Sequence, residues 1–150
     1  MILEHISSLI EELNSAVQTK YILHKHEADR AGLHFDLRIK RLDKNTVISF
    51  ALPKAEVPSG TKKVLLVTNF DHNFIWTSIK TITIPKGIYG AGEISTLQKG
   101  SMEIYKWDDK NNITFSCKGD YLNGIYHIIR ANFKDSDKDN QYLFFKAKDK

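Results

Sequence analysis

The sequence predicts a mainly β protein: a single-domain, closed antiparallel β-barrel of about eight strands with an N-terminal amphipathic helix. Short apolar runs bounded by turn residues recur from Tyr21 to the end of the chain. Before Tyr21 the apolar residues follow a helical period instead. A barrel is favoured over an open sheet because closure leaves no exposed strand edges. We therefore expect residues 1–20 to form a helix that packs on a barrel comprising residues 21–150.

The overall composition is that of an ordinary globular domain. The chain has 150 residues, of which 41% are hydrophobic and 27% charged, enough for one self-supporting core. Its net charge of +4 is compatible with a polyanionic partner such as DNA. The single cysteine, Cys117, excludes an intramolecular disulfide and a cysteine-rich metal site. Without an apolar run of about 20 residues or a signal-peptide pattern, the expected location is the cytoplasm.

The individual elements follow from the period of the apolar residues. In residues 2–18 apolar side chains return every three or four positions, which indicates a helix. Residues 27–32 are polar and close with glycine, which favours a loop. The predicted strands are 21–24, 33–40, 46–52, 63–68, 79–84, 92–98, 101–107, 113–118, 124–133 and 142–146.

The second predicted strand carries the candidate chemistry, because its apolar and polar residues alternate without interruption. One side would face the core and the other would present, in order, His34, Asp36, Arg38 and Lys40. Neighbours on one face lie roughly 6.5 to 7 Å apart, close enough for His34 and Asp36 to bind one metal ion. His26 lies shortly upstream and completes a set of two histidines and one carboxylate. The alternative is a strand with a solvated polar face.

A metal held by His26, His34 and Asp36 would keep about three octahedral positions for water and substrate oxygens. Such an open shell suits metal-assisted hydrolysis. The fork of Arg38 matches paired phosphate oxygens, although a surface salt bridge is the alternative. His72, in a predicted loop, is a candidate to contact a scissile phosphate or to protonate a leaving oxygen.

Two other histidines carry weaker signals. His24 lies two residues before His26, so strand alternation would place both on one face, and it is a candidate for a further contact. His127 lies inside a strongly apolar strand, which favours a structural role.

The glycine-rich stretch 85–92 is not a nucleotide-binding loop. It lacks the GK[ST] ending of a Walker motif and the GxGxxG pattern. We expect its glycines to serve tight backbone geometry, with Lys86 a candidate phosphate contact.

Four segments together resemble the 3′-phosphoesterase domain of bacterial DNA ligase D and its stand-alone archaeal and bacterial versions. The family signature QKHxARxLHYDLRLE corresponds to residues 24–26 and 33–38, and WAVPKG corresponds to residues 50–54. EDHP corresponds to residues 70–73 and IPKGEYGAG to residues 84–92. The motifs occur in the family order and the match spans about residues 21–146.

The resemblance implies a metal-dependent hydrolase that heals DNA 3′ ends, usually with Mn²⁺, with Zn²⁺ or Co²⁺ as alternatives. It would remove a terminal 3′-ribonucleoside and then the 3′-phosphate, leaving a hydroxyl for a DNA ligase or polymerase. The expected partners are DNA primer–template 3′ ends, including ribonucleotide-tipped ends, and the expected state is a monomer. The implied metal ligands are His26, His34 and Asp36. The implied phosphate contacts are Arg38 and His72, with Lys54 and Lys86 as further candidates.

The chain departs from the family pattern at four places, and two other functions remain open. The loop between the two histidines is two residues longer, through Ala31 and Gly32, and the glutamine before the first histidine is His24. The glutamate of EDHP is Phe70, and the tyrosine four residues after the histidine aligns with Trp76, so the retention of both steps is open. One alternative is a non-catalytic module of the same fold that binds DNA ends. The other is an iron and 2-oxoglutarate oxygenase, which also uses HxD with a distal histidine, although His127 followed by Arg130 fits that pattern poorly.

Overall fold

The computed structural model describes residues 16–30, 32–68, 72–73, 81–86, 91–131 and 140–148. All the regular secondary structure in these ranges is β-strand. None of these residues belongs to a helix long and apolar enough to span a membrane. The strands are β1 (Val17–Ala28), β2 (Gly32–Lys40), β3 (Thr46–Leu52), β4 (Val64–Thr68), β5 (His72–Asn73), β6 (Thr81–Ile84), β7 (Gly92–Asp108), β8 (Asn112–Cys117), β9 (Gly124–Arg130) and β10 (Gln141–Lys146).

Eight of these strands close an antiparallel barrel. They pair in the order β1, β2, β3, β4, β10, β9, β8 and β7, and β7 pairs with β1 to complete the ring. The short strands β5 and β6 lie outside the ring, where β5 pairs with β3 and β6 with the first part of β7. The prediction of a mainly β protein with a closed barrel of about eight strands is confirmed.

The hydrophobic core fills the interior of the barrel, as is usual for a barrel of this size. Three aromatic rings, those of Phe115, Tyr126 and Phe144, pack with centroids between 5.4 and 6.1 Å apart. Trp107 is fully buried beside the same cluster of core residues. Leu37 and Ile39 of β2 also belong to the core, so the apolar face of this strand points inward as its alternation predicts.

The end of the predicted N-terminal helix is wrong. β1 begins at Val17, so residues 17–20 are strand and not helix. Val17 to Lys20 pair with residues 101–104 of β7, and this ladder overrides the local helical period. The rest of the predicted helix, residues 1–15, lies outside the described residues and stays a prediction.

Two predicted interruptions are also strand. Glu27 and Ala28, assigned to a loop from their polar surroundings, are the last residues of β1. Residues 99–100, assigned to a break, lie within the 17-residue strand β7. This length lets β7 pair with β1 on one edge and with β6 and then β8 on the other. Register shifts opposite His24 and near Tyr105 mark bulges, which increase the local twist of a long strand.

Gly92 lies at a close approach of β7 to β1. Its φ is +140°, and a Cβ at this position would lie 2.1 Å from the backbone oxygen of Glu27. A side chain therefore cannot be accommodated without moving one of the two strands. This contact accounts for the last glycine of the stretch 85–92, whereas Gly87 and Gly90 lie outside the described residues.

Gln98 hydrogen-bonds the loop between β8 and β9 to the barrel. Its buried amide nitrogen donates to Oη of Tyr21 at 2.6 Å and to the carbonyl oxygen of Leu122 at 2.9 Å. Its Oε1 accepts hydrogen bonds from the backbone N–H groups of Tyr121 and Leu122, both at 2.9 Å.

Gln98→Leu would leave these buried groups unpaired, so we expect the free energy of unfolding to fall by about 2 to 4 kcal/mol in urea denaturation. Lys99→Leu, at the exposed neighbour, should change it by less than about 0.5 kcal/mol, and equal losses would contradict this role.

Cys117 and Tyr21 make the barrel sensitive to alkali. Burial raises the pKa of the Cys117 thiol from 9.0 to about 11 and that of the Tyr21 hydroxyl from 10.0 to about 12. A group whose folded pKa is raised stabilises the fold fully below its unfolded pKa and loses this contribution as the pH rises through the folded pKa. We therefore expect the melting temperature to fall between pH 9 and pH 12. Cys117→Ser, which lacks the thiol, should show a smaller fall over pH 9 to 11 in the same scanning fluorimetry series, and an identical curve would contradict the assignment.

Candidate metal and phosphate site

The hairpin of β1 and β2 places the candidate residues by its register. His26 lies directly opposite His34, and His24 lies opposite Asp36. Residues opposed in an antiparallel ladder share a face, as do alternate residues along one strand. Together with Arg38, two residues beyond Asp36, these side chains therefore occupy a single face of the sheet. Leu23 of β1 and Leu37 of β2 point to the opposite side and belong to the barrel core, so the face with the candidate residues is the one turned away from the core.

Two imidazoles and one carboxylate converge on this face. Nδ1 of His26 is 3.5 Å, and Nε2 of His34 is 3.3 Å, from the same Oδ2 of Asp36. The two rings have centroids 4.7 Å apart, and the ligand atoms of all three residues lie within 4.8 Å of one another. Ligands held about 2.1 Å from one cation lie about 3 to 3.5 Å apart. Both nitrogen–oxygen distances are within this range, so the donor set fits a single divalent cation in its chemistry and in the spacing of each imidazole from the carboxylate.

Asp36 is ionised in this setting although it is only 2% exposed. Burial opposes ionisation, but hydrogen bonds from His26 and His34 and the charge of Arg38 outweigh it and hold the pKa of the carboxyl well below its usual range. The hydrogen bond to Asp36 raises the pKa of His34, an effect that burial opposes. The cluster thus supplies an anionic oxygen ligand at neutral pH, and such oxygens are preferred by hard divalent cations.

Arg38 brings a buried positive charge to the edge of the cluster. Its side chain is 4% exposed, with Nη2 3.7 Å from Oδ2 of Asp36 and Nη1 2.5 Å from Nδ1 of His24. Burial lowers the pKa of the guanidinium and the neighbouring Asp36 charge opposes this change. Because an arginine starts from a very high pKa, the group stays charged. A fixed cation beside a candidate metal site can bind an anion such as a phosphate.

The other predicted site residues are not all brought to this cluster. The backbone of His72 lies in β5, paired with Val47 of β3, and its side chain is outside what the structure describes. Lys54 and Lys86 are exposed just after β3 and β6, and neither takes part in the described contacts around Asp36. His127 lies on β9 with its Nδ1 2.9 Å from Oγ1 of Thr114. It is outside the cluster of described residues, so His127 is not the distal histidine that the oxygenase alternative needs.

The pairing of the strands gives Arg38 two neighbours. His24, which the sequence offers as a candidate for a further contact, contacts the guanidinium directly, although the alternation of β1 indicates only which face it occupies. Ser49 of β3 lies directly opposite Arg38, is fully buried, and has a hydroxyl without a hydrogen-bond partner among the described residues. Both neighbours of Arg38 follow from the strand register, which the sequence pattern does not specify.

The fold and the cluster define a class of protein: a small β-barrel that carries a candidate metal and phosphate site on the outer face of one hairpin. Within this class, the chain belongs to the DNA ligase D 3′-phosphoesterase domain family, whose model matches residues 24–130. The family predicted from the four sequence motifs is therefore confirmed.

Multifunctional non-homologous end joining proteins named LigD are among the relatives of this chain. The protein from Pseudomonas aeruginosa is 33% identical over 134 residues, which cover 87% of this chain and 15% of that protein. The protein from Mycolicibacterium smegmatis is 30% identical over 126 residues, which cover 77% and 16%. The protein from Mycobacterium bovis is 26% identical over 115 residues, which cover 75% and 14%. The chain thus matches between 14% and 16% of the length of these relatives.

Proposed function

We propose that the chain is a metal-dependent phosphoesterase that processes DNA 3′ ends in end-joining repair. The observation that carries the proposal is the meeting of His26, His34 and Asp36 with the buried guanidinium of Arg38 beside them. Family membership and the end-joining names of the relatives support the same assignment. The proposed substrates are DNA primer–template 3′ ends that carry a phosphate or a ribonucleotide. The product, a 3′-hydroxyl, is what a DNA ligase or polymerase requires.

The proposed cofactor is Mn²⁺, held by His26, His34 and Asp36. Mixed imidazole and carboxylate ligands also suit Zn²⁺ and Co²⁺, so these ions are alternatives. When bound, such a cation would act as a Lewis acid toward a phosphoryl oxygen. The ionised carboxylate of Asp36 offsets part of the charge of the bound cation and of Arg38.

The protein side chains bind and orient the phosphate in this proposal. Arg38 donates charge-assisted hydrogen bonds to the non-bridging oxygens, and its burial strengthens them because little water competes. These donors are in place before the reaction, so charge that develops on the phosphate meets a preorganised partner. His72, from the EDHP-like motif, is proposed to give a proton to the leaving oxygen. Lys54 and Lys86 are proposed to contact the DNA backbone as exposed cations.

The test uses two labelled primer–templates, one ending in a 3′-phosphate and the other in a 3′-ribonucleotide. With Mn²⁺ we expect the wild-type protein to convert the first to a 3′-hydroxyl, and the second substrate reports whether both steps survive the changes at Phe70 and Trp76. His34→Ala should lower the rate about 100-fold, since one of three metal ligands is lost. His127→Ala is the matched histidine control and should leave the rate unchanged.

A wild-type protein that binds these ends but gives no product with Mn²⁺, Zn²⁺ or Co²⁺ would contradict the proposed activity. That outcome would favour the non-catalytic DNA-end-binding module of the same fold. Binding is measured on the same fluorescent primer–templates by anisotropy, so one preparation serves both measurements.

A further inference from the structure

We propose that His24 is a positioning residue that orients the Arg38 guanidinium toward the 3′-terminal phosphate, an inference that rests on the proposed function. His24 is 0% exposed, and its Nδ1 lies 2.5 Å from Nη1 of Arg38. Nη2 of the same guanidinium lies 3.7 Å from Oδ2 of Asp36. Arg38 is thus held at both of its terminal nitrogens, by two different strands of the hairpin.

The chemistry of the two groups assigns the proton. A guanidinium has only N–H donors, so the Nδ1 atom of His24 that faces it must be the unprotonated acceptor. His24 is therefore the acceptor, through Nδ1, in its contact with Arg38.

Two contacts orient the whole group because a guanidinium is planar and rigid. Because Nε is attached to the rest of the side chain, contacts at Nη1 and Nη2 are enough to set the plane of the group and the direction of its edge. A guanidinium carries five N–H donors, so these two contacts do not exhaust its capacity to bind phosphate oxygens. Fixing the group in advance lowers the entropy cost of binding the phosphate.

The hairpin register explains how His24 reaches Arg38 without joining the metal ligands. His24 lies opposite Asp36 and Ile22 lies opposite Arg38, so His24 and Arg38 are diagonal neighbours on one face. Such neighbours are about 7 to 8 Å apart at their backbones, which an imidazole and an arginine can span. Among the described residues, the set with metal-ligand spacing comprises His26, His34 and Asp36, without His24. Loss of His24 should therefore weaken phosphate binding and leave the metal ligands in place.

The first experiment measures end preference without metal. In EDTA, fluorescence anisotropy compares primer–templates that end in a 3′-phosphate and in a 3′-hydroxyl. We expect the wild-type preference for the phosphate to fall about tenfold in His24→Ala. His24→Asn should keep most of it, because the asparagine Oδ1 takes the place of Nδ1 as an acceptor. His24→Met fills the space of the ring with only a weak sulfur acceptor, so it should behave like His24→Ala and replaces it if that variant does not fold.

The second experiment is a double-mutant cycle on kcat/KM with Mn²⁺. If His24 acts through Arg38, adding His24→Ala to Arg38→Ala should leave kcat/KM nearly unchanged. Calorimetric Mn²⁺ titration should give the same affinity for His24→Ala and the wild type.

Multiplicative losses in the cycle, or lost Mn²⁺ binding in His24→Ala, would overturn the proposal. If the wild type shows no turnover while the end preference in EDTA still depends on His24, the proposed activity fails and the positioning role stands. An unchanged preference in both His24→Ala and His24→Met overturns the role.

Discussion

Asp36→Asn is expected to lower phosphoesterase activity about 1000-fold or more, which corresponds to about 4 kcal/mol of transition-state stabilisation. Oδ2 of Asp36 lies within 3.5 Å of a nitrogen of both His26 and His34, so it is the point at which the three ligands meet. Asparagine offers a neutral oxygen, and its amide hydrogens would face the donors of the surrounding side chains. The variant should therefore lose the proposed anionic metal ligand and the partner of Arg38 together. The measurement is release of phosphate from a 3′-phosphate primer–template with Mn²⁺.

The same variant needs a check on folding, because Asp36 is a buried counter-charge. Removing one partner of a buried ion pair costs about 3 to 5 kcal/mol of stability. Circular dichroism and urea denaturation give the folded fraction, and the activity is expressed per folded molecule. Asp120→Asn, at an exposed acidic residue between β8 and β9, is the matched control and should keep activity and Mn²⁺ affinity. A folded Asp36→Asn protein with more than about a tenth of wild-type activity would contradict the proposed metal site.

The face that carries the site could be predicted from β2 alone. Alternation of apolar and polar residues in 33–40 has a period of two, and this period places Asp36 and Arg38 on one side with Leu37 between them on the other. The prediction that the apolar face points inward is reliable because burying this face drives barrel closure. A one-residue slip would bury both charges in the core, so the pattern excludes that register strongly.

The partners of that face could not be predicted from the sequence, because they depend on pairing. The polar residues 27–32 indicate a loop, yet Glu27 and Ala28 continue β1 and pair with both β2 and β7. That extension sets His26 directly opposite His34, whatever the local polarity suggests. Backbone hydrogen bonds to two neighbouring strands outweigh the weak propensity of individual residues.

Pairing with neighbouring strands also explains why β7 is continuous. Lys99 and Gly100 resemble a turn when read locally, but the β1 ladder continues past them, with Lys99 opposite Ile22 and Gly100 opposite Tyr21. The bulge next to His24 is a further product of the ladder, since it needs one extra residue in β7 against β1. The contact between His24 and Arg38 likewise depends on strand pairing, that of β1 with β2, which no short segment encodes.

Arg38→Ala is expected to lower kcat/KM about 1000-fold while leaving Mn²⁺ affinity within a few-fold of the wild type. The guanidinium is buried 3.7 Å from Asp36 but is not one of the three clustered candidate ligands, so its loss should remove the proposed phosphate contact and leave the proposed metal site. Arg38→Lys should recover little, staying about 100-fold below the wild type, because an ammonium is a point charge without the planar fork. It also cannot hold the positions of Nη1 beside His24 and Nη2 beside Asp36 at once.

Arg41→Lys is the matched control for the arginine series, because Arg41 pairs with Asp109 away from the cluster and its replacement should affect stability alone. Steady-state kinetics on the 3′-phosphate primer–template and Mn²⁺ titration together separate the two halves of the site. Asp36→Asn should lose both metal and activity, whereas Arg38→Ala should lose activity and keep metal. If Arg38→Lys matches the wild type, a positive charge alone is sufficient and the oriented guanidinium has no role. If Arg38→Ala also loses Mn²⁺, the metal and phosphate halves are not separable, and the cluster acts as a single unit that Arg38 holds together.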